Sequence, residues 1–261
     1  QMCIRDRCRV MGWWKTSKRQ IIAHMGNSSQ FPANTRASVL SAIEVGSDVV
    51  EIDVSKTKDG IAIAFHGKKL DYQTSGLGRV AGKEWGYIGS LEVASHNGET
   101  TTHRIPLISE LLDEFSTQTK WNLDLKVGLP DKDVVQKIRE LHIQEKVVFS
   151  GLRIKDARKV IDLYPDLNVL INLSKLEHLT LGLRFLGEIF FRLRFKTINQ
   201  LPAVIGINAN HRLLSSGGIR TIKKAGAELW VYTVDDEKEA LSLFDLGIDS
   251  VTTNNPTIMI Q

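Results

Sequence analysis

DVVEIDVSKTKDGIAIAFH, residues 48–66, is the stretch whose reading decides the fold. Glu51 and Asp53 stand two apart in an apolar run. On a strand that spacing aims both side chains at one face. The flanking Val49, Val50, Ile52 and Val54 call for a strand covered on both sides, as in a parallel sheet, rather than one whose acids face water. Covered carboxylates need a cation or hydrogen-bond donors. Lys58-Asp59-Gly60 is a turn signal, so Ile61–Phe65 should return antiparallel and bring His66 level with Asp53.

Outward from this stretch the chain alternates short apolar strands with helical segments, the rhythm of βαβ units. Strands are expected at Ile21–His24, Val49–Val54, Trp121–Lys126, Val147–Ser150, Leu167–Ile171, Val204–Ile207, Leu229–Thr233 and Ser250–Thr253. Helices are expected at Thr35–Val45, Ile108–Phe115, Asp131–Leu141, Ile154–Tyr164, Lys175–Phe195, Leu213–Ala225 and Asp236–Leu246. Eight parallel strands with helices outside predict an α/β fold, the (β/α)8 (TIM) barrel, with the 48–66 hairpin rising from strand 2 at the C-terminal face. The barrel domain is assigned to residues 20–261. Residues 1–19 are read as an N-terminal extension, partly disordered and in its first ten residues foreign to the fold. Trp13 and Trp14 in it would either plug the bottom of the barrel or meet a lipid interface.

Composition narrows the function. A chain of 261 residues, 42% hydrophobic and 25% charged, suits one large α/β domain and excludes disorder. A net charge of +4 without a Lys/Arg tract excludes a nucleic-acid partner and fits an anionic substrate or a membrane surface. Both cysteines, Cys3 and Cys8, lie in the first ten residues, so the body suits a reducing compartment, by default the cytoplasm. No run of ~18 apolar residues marks a membrane span, and no signal-peptide pattern is present. Leu176–Phe195, with Arg184, Arg192 and Arg194, is read as an outer helix and loop; its Gly182 and Gly187 weigh against the alternative, a peripheral membrane segment.

In a barrel of this kind the site gathers at the C-terminal strand ends. Those ends carry His24, Glu51 with Asp53, Asp124 with Lys126, and Tyr232. Three carboxylates without cysteine suit a hard divalent cation, Mg²⁺ or Ca²⁺. Lys126 beside it would supply a point charge for a phosphate oxygen. The remaining histidines, His96, His103, His142, His178 and His211, fall in loops or helix ends and are read as exposed or structural.

The ordered series IIAHMGNSSQFPANT (21–35), VVEIDVSKTKDG (49–60), FHG (65–67), NLDLK (122–126), WVYTVDD (230–236) and GIDSVTTNNP (247–256) resembles the glycerophosphodiester phosphodiesterases from about residue 20 onward. The resemblance implies that His24 and His66 are the acid/base pair, that Glu51, Asp53 and Asp124 hold one divalent metal ion, and that Lys126 contacts phosphate. It implies hydrolysis of glycerophosphodiesters to glycerol 3-phosphate and an alcohol. The chain departs from the family pattern at Met25, where arginine is usual, at Ala33 for glutamate, at Gly67 for aspartate and at Asp124 for glutamate. His24-Met25, His66-Gly67 and Asp124-Leu125-Lys126 also resemble the sphingomyelinase D-like phospholipases, whose toxin members have a cysteine-closed loop that this chain lacks. A lysophospholipase D or sphingomyelinase D-like activity is therefore the first alternative, with Met25 lining a path for an acyl chain, and a weakened or inactive phosphodiester-binding barrel is the second.

Overall fold

In the computed structural model the described residues are Trp14, 19–95, 97–126, 128–181, Ile189 and 203–260. Two compact units are distinguished, residues 21–147 with 254–261, and residues 1–20 with 148–253. Apart from Trp14 and Arg19, the expected extension at 1–19 lies outside the described residues, as do Cys3, Cys8, Trp13, His96, Arg184, Arg192, Arg194, Gly182 and Gly187.

The first unit contains β1 (Gln20–His24), α1 (Arg36–Glu44), β2 (Val49–Lys56), β3 (Ala62–Ala64), α2 (Trp85–Ile88), β4 (Glu92–Ala94), β5 (Thr100–Arg104), α3 (Ile108–Phe115), β6 (Lys120–Leu125) and α4 (Lys132–Glu140). β1, β2 and β6 pair in parallel, with His24 opposite Glu51 and Asp53 opposite Asp124. Every residue of β2 up to Ser55 is buried, as its unbroken apolar run requires of a strand covered on both faces. α1 begins at a capping box in which the Thr35 and Ser38 side chains each accept from the other residue's backbone N–H, so the chain leaves β1 through a fixed loop. α3 buries Ile108, Leu111, Leu112 and Phe115, the 3.6-residue stripe of an outer helix.

The second unit contains β7 (Val147–Leu152), α5 (Ile154–Leu163), β8 (Asn168–Asn172), α6 (Lys175–Leu181), β9 (Val204–Asn210), α7 (Ser216–Lys224), β10 (Glu228–Tyr232), α8 (Glu237–Asp245) and β11 (Ser250–Thr253). Its strands pair in parallel and in chain order. Trp14 is buried against Trp230, ring centroids 5.7 Å apart, which favours the interior over a lipid interface for that residue. Eight parallel strands, seven of them followed by a helix, make this the (β/α)8 barrel fold. Among the described residues no helix is long and apolar enough to cross a membrane.

The hairpin is larger than the sequence pattern predicts. β3 does return antiparallel on β2 through a turn closed by Thr57 and Ile61, with Gly60 at φ 85°. The register, however, sets Val54 opposite Ala64, and the Phe65 N–H bonds to the Asp53 carbonyl, so Phe65 rather than His66 is level with Asp53. Beyond it the chain continues through α2 and the β4/β5 ladder around its own apolar cluster of Ile63, Phe65, Leu70, Val80, Ile88, Leu91, Val93 and Ile105. β5, Thr100–Arg104, carries no apolar residue and alternates exposed with half-buried positions, which left it without a strand signal. His103 accordingly lies in a strand, and His178 in α6 and His211 after β9 are buried.

Candidate metal and phosphodiester site

Midway along β2 and near the C-terminal end of β6, beside the last residue of β1, one ligand oxygen each from Glu51, Asp53 and Asp124 lies within 4.8 Å of the others. The period-two alternation of β2 turns Glu51 and Asp53 to the same side, and the parallel pairing brings Asp124 alongside Asp53. Glu51 and Asp53 are buried, and Asp124 is partly exposed.

Asp53 is held by Asn34 in both directions. Its Oδ2 accepts from Asn34 Nδ2 at 2.8 Å, and its backbone N–H donates to Asn34 Oδ1 at 3.0 Å. Asn34 reaches this position with φ 59°, left-handed backbone that asparagine tolerates better than most residues. The other oxygen, Oδ1, is buried and accepts no hydrogen bond, although Lys126 Nζ lies 2.7 Å from it. Lys126 Nζ bonds instead to Asp124 Oδ2.

Glu51 Oε2 accepts from the Met25 N–H at 2.8 Å and faces His24 Nε2 at 3.9 Å. Met25 sits at φ 56°, and its carbonyl accepts from the Asn34 N–H and from Ser38 Oγ. The next residue must be glycine: a Cβ on Gly26, which has φ 75°, would lie 2.5 Å from the Ser38 backbone.

His24 is oriented from the far end of the chain. Its Nδ1 lies 2.7 Å from Asn254 Oδ1, which also accepts from Ser28 Oγ at 3.1 Å. An amide oxygen only accepts, so with this amide orientation Nδ1 carries the proton and the neutral ring presents its lone pair at Nε2, toward Glu51.

Burial pushes the Glu51 carboxyl well above the usual carboxylate range, the charges of Asp53 and Asp124 add to the rise, and Lys126 and the Met25 N–H oppose it. Burial pulls the Lys126 ammonium down, but Asp53, Asp124 and Glu51 together outweigh that and raise its pKa above the ordinary lysine value. The buried Asp53 Oδ1, which has an ion-pair neighbour in Lys126 but no hydrogen bond, and the crowded negative charge both fit a divalent cation held through oxygens. Carboxylate donors without thiolates are the donor set of a hard ion.

His24, Glu51, Asp53, Asp124 and Lys126 are thus brought together as the sequence predicts. His66 is exposed and, with Lys126, lines a pocket of about 340 Å³. Met25 meets the cluster through its backbone. Tyr232 belongs to the second unit, at the end of β10, where its carbonyl lies 3.1 Å from His211 Nδ1. Sequence reasoning assigned no role to Asn34 or Asn254. Both stand inside the quoted motifs, but Asn34 lies in the loop before α1 and Asn254 follows the uncharged end of β11, so no spacing or periodicity ties either one to the carboxylates or to His24.

A sequence profile described as the glycerophosphoryl diester phosphodiesterase family matches residues 24–258. A glycerophosphodiester phosphodiesterase of Caldanaerobacter subterraneus subsp. tengcongensis is 26% identical over 253 residues, 94% of this chain and 97% of its own. A human lysophospholipase D is 25% identical over 263 residues, 90% of this chain and 83% of its own. The solved structure of an Oleispira antarctica phosphodiesterase, in complex with the product sn-glycerol-3-phosphate, superposes with a TM-score of 0.72 at 24% identity, covering 92% of this chain and 94% of that one.

Proposed function

The chain belongs to the glycerophosphoryl diester phosphodiesterase family, and from that membership we propose that it is a metal-dependent phosphoric diester hydrolase releasing glycerol 3-phosphate and an alcohol from glycerophosphodiesters. The observation that carries this reading is the meeting of Glu51, Asp53 and Asp124 within 4.8 Å beside His24 and Lys126. These three carboxylates would hold one Mg²⁺ or Ca²⁺ ion. When bound, such an ion neutralises and orients the nonbridging phosphate oxygens.

The remaining steps fall to side chains. His24 Nε2, the lone-pair nitrogen of the neutral tautomer whose Nδ1–H bonds to Asn254, takes the proton of the attacking hydroxyl, from water or from the neighbouring glycerol hydroxyl. As the new P–O bond forms and the bond to the alcohol breaks, His66 gives its proton to the leaving oxygen. Attack by the glycerol hydroxyl first yields a cyclic phosphate, which water then opens. Lys126, cationic throughout because of its carboxylate neighbours, places positive charge against a phosphate oxygen.

A lysolipid substrate is the second reading, favoured by Met25 in place of the family's arginine and by the human lysophospholipase D relative. Peripheral contact with a membrane fits Leu176 and Leu179, both exposed on α6. A cytoplasmic location fits a body without cysteine.

The test is turnover of glycerophosphocholine and lysophosphatidylcholine side by side, with and without chelator. Chelator-sensitive release of glycerol 3-phosphate is expected. Full activity in excess chelator would remove the metal from the reading, and activity on the lysolipid alone would promote the second one.

A further inference from the structure

We infer that the pocket beside the carboxylate cluster is a subsite for a second anionic group on the substrate, so that the preferred diesters are those whose leaving alcohol itself carries a phosphate. This rests on the proposed hydrolase activity and names its substrate class. The pocket, of about 340 Å³, is lined by Ser55, Lys56, His66, Lys68, Arg79 and Lys126 among others, and among the described residues no carboxylate lines it.

Two of its four cations are already committed. Lys56 pairs with Asp131 at 2.5 Å, and Lys126 with Asp53 and Asp124. Lys68 and Arg79, among the described residues, have no carboxylate within ion-pair distance. They are not loose ends of chain. The Val80 N–H bonds to the Lys68 carbonyl at 3.1 Å, Lys69 bridges to Arg79, and Val80 is anchored in the apolar cluster of the hairpin. Lys68 and Arg79 line the same pocket as His66, so two cations without a carboxylate partner stand next to the histidine that would protonate the leaving oxygen.

Charge decides among the head groups. A choline alcohol would bring a cation toward cations, and a neutral polyol would leave both unpaired. A phosphate on the alcohol would accept from the ammonium and the guanidinium, charge-assisted bonds of the kind arginine makes bidentately. The volume lies at the low end of small-molecule sites, roughly 300–1,000 Å³, enough for a phosphorylated polyol and too small for a long second chain.

The experiment compares glycerophosphoinositol 4-phosphate, glycerophosphoinositol and glycerophosphocholine on the wild type and on the double variant Lys68→Gln/Arg79→Gln. Lys68 and Arg79 are exposed, so the variant should fold normally. Wild-type KM should be about tenfold lower for the phosphorylated diester than for glycerophosphoinositol, an advantage that shrinks with added salt. The double variant should lose that advantage while its kcat/KM on glycerophosphoinositol stays within about twofold. Equal wild-type KM values for the two inositol diesters, or an equal fall on both in the variant, would overturn the subsite. If no diester is turned over, the proposed activity fails on its own account, and the subsite is read by calorimetry with inositol 4-phosphate as probe. Binding weakened about tenfold in the double variant supports it, and no binding or equal binding overturns it.

Discussion

His24 Nδ1 and Asn254 Oδ1 lie 2.7 Å apart although 230 residues separate them in the chain, so the C-terminal segment fixes which imidazole nitrogen faces the carboxylates. Ser28 completes the arrangement, donating to both the His24 carbonyl and Asn254 Oδ1. Asn254 acts through His24 and is a positioning residue. Asn254→Ala should lower kcat about 10–100-fold with KM little changed, because orientation of the base matters more in the transition state than in the bound substrate. A rise in KM at constant kcat would mean that Asn254 serves binding instead.

Metal binding and stability should be opposed at Glu51. Burial and two neighbouring carboxylates disfavour its charged form, so Glu51→Gln relieves a cost in the metal-free protein. Its Tm without metal should equal or exceed that of the wild type. Divalent cation at ~100 times its Kd should stabilise the wild type by about 2.7 kcal/mol, several degrees in Tm, and should not move the variant. Thermal melts with and without Mg²⁺ or Ca²⁺ check both halves, and an equal metal shift in Glu51→Gln would take Glu51 out of the ligand set.

His24→Ala and His66→Ala should each cost ~10²–10⁴-fold in kcat without changing the far-UV spectrum, and the double variant should be little worse than the poorer single one. The sharper arm uses a substrate whose alcohol leaves easily. There proton donation to the leaving oxygen is dispensable, so His66→Ala should recover while His24→Ala should not. The reverse pattern would exchange their assigned roles.

How far these residues could be read from the sequence depended on the reach of each pattern. β2 declared itself because a doubly covered strand is a continuous apolar run, and two acids inside it have few innocent explanations. Asp124 and Lys126 followed from the same argument on β6. The Asn34 bonds to Asp53 and the Asn254 bond to His24 were not legible, since they depend on a left-handed residue and on a contact across 230 positions, neither of which leaves a periodic trace. The β4/β5 excursion was missed for a related reason: Thr100–Arg104 has the polarity of a loop and pairs only because Glu92–Ala94 lies beside it.

His178 predicts a pH dependence of stability. Its ring is buried in α6, Nδ1 bonds to the Ser174 carbonyl at 2.8 Å, and Nε2 has no hydrogen-bond partner among the described residues. Burial lowers its pKa below the ordinary histidine value. The unfolded chain therefore binds a proton more readily, and the contribution is fully present above the unfolded pKa of about 6.5 and lost as pH falls through the lower folded value. Denaturant melts at about pH 7.5 and about pH 5.5 should show the wild type losing more stability than His178→Gln between the two. Equal losses would show that His178 takes up its proton as readily in the folded chain as in the unfolded one.

Met25 decides between a water-soluble and a lipid-bearing diester. Its N–H bonds to Glu51 and its carbonyl accepts from Asn34 and Ser38, so the backbone role is independent of the side chain. Met25→Arg keeps that backbone, adds no Cβ strain beyond what methionine already bears at φ 56°, and restores the guanidinium usual in the family. If phosphate is met at this position, the new cation should raise kcat/KM on glycerophosphocholine, in line with the ~10²-fold or greater effect of a preorganised charged contact in a phosphoryl site. If the methionine instead lines an acyl path, the same change should depress lysophosphatidylcholine turnover, because a buried unpaired guanidinium would replace apolar contact. The ratio of the two kcat/KM values should therefore shift toward the water-soluble diester by about tenfold or more. A ratio unchanged from wild type would show that the side chain meets neither phosphate nor acyl chain, and the lysolipid reading would lose its residue-level support.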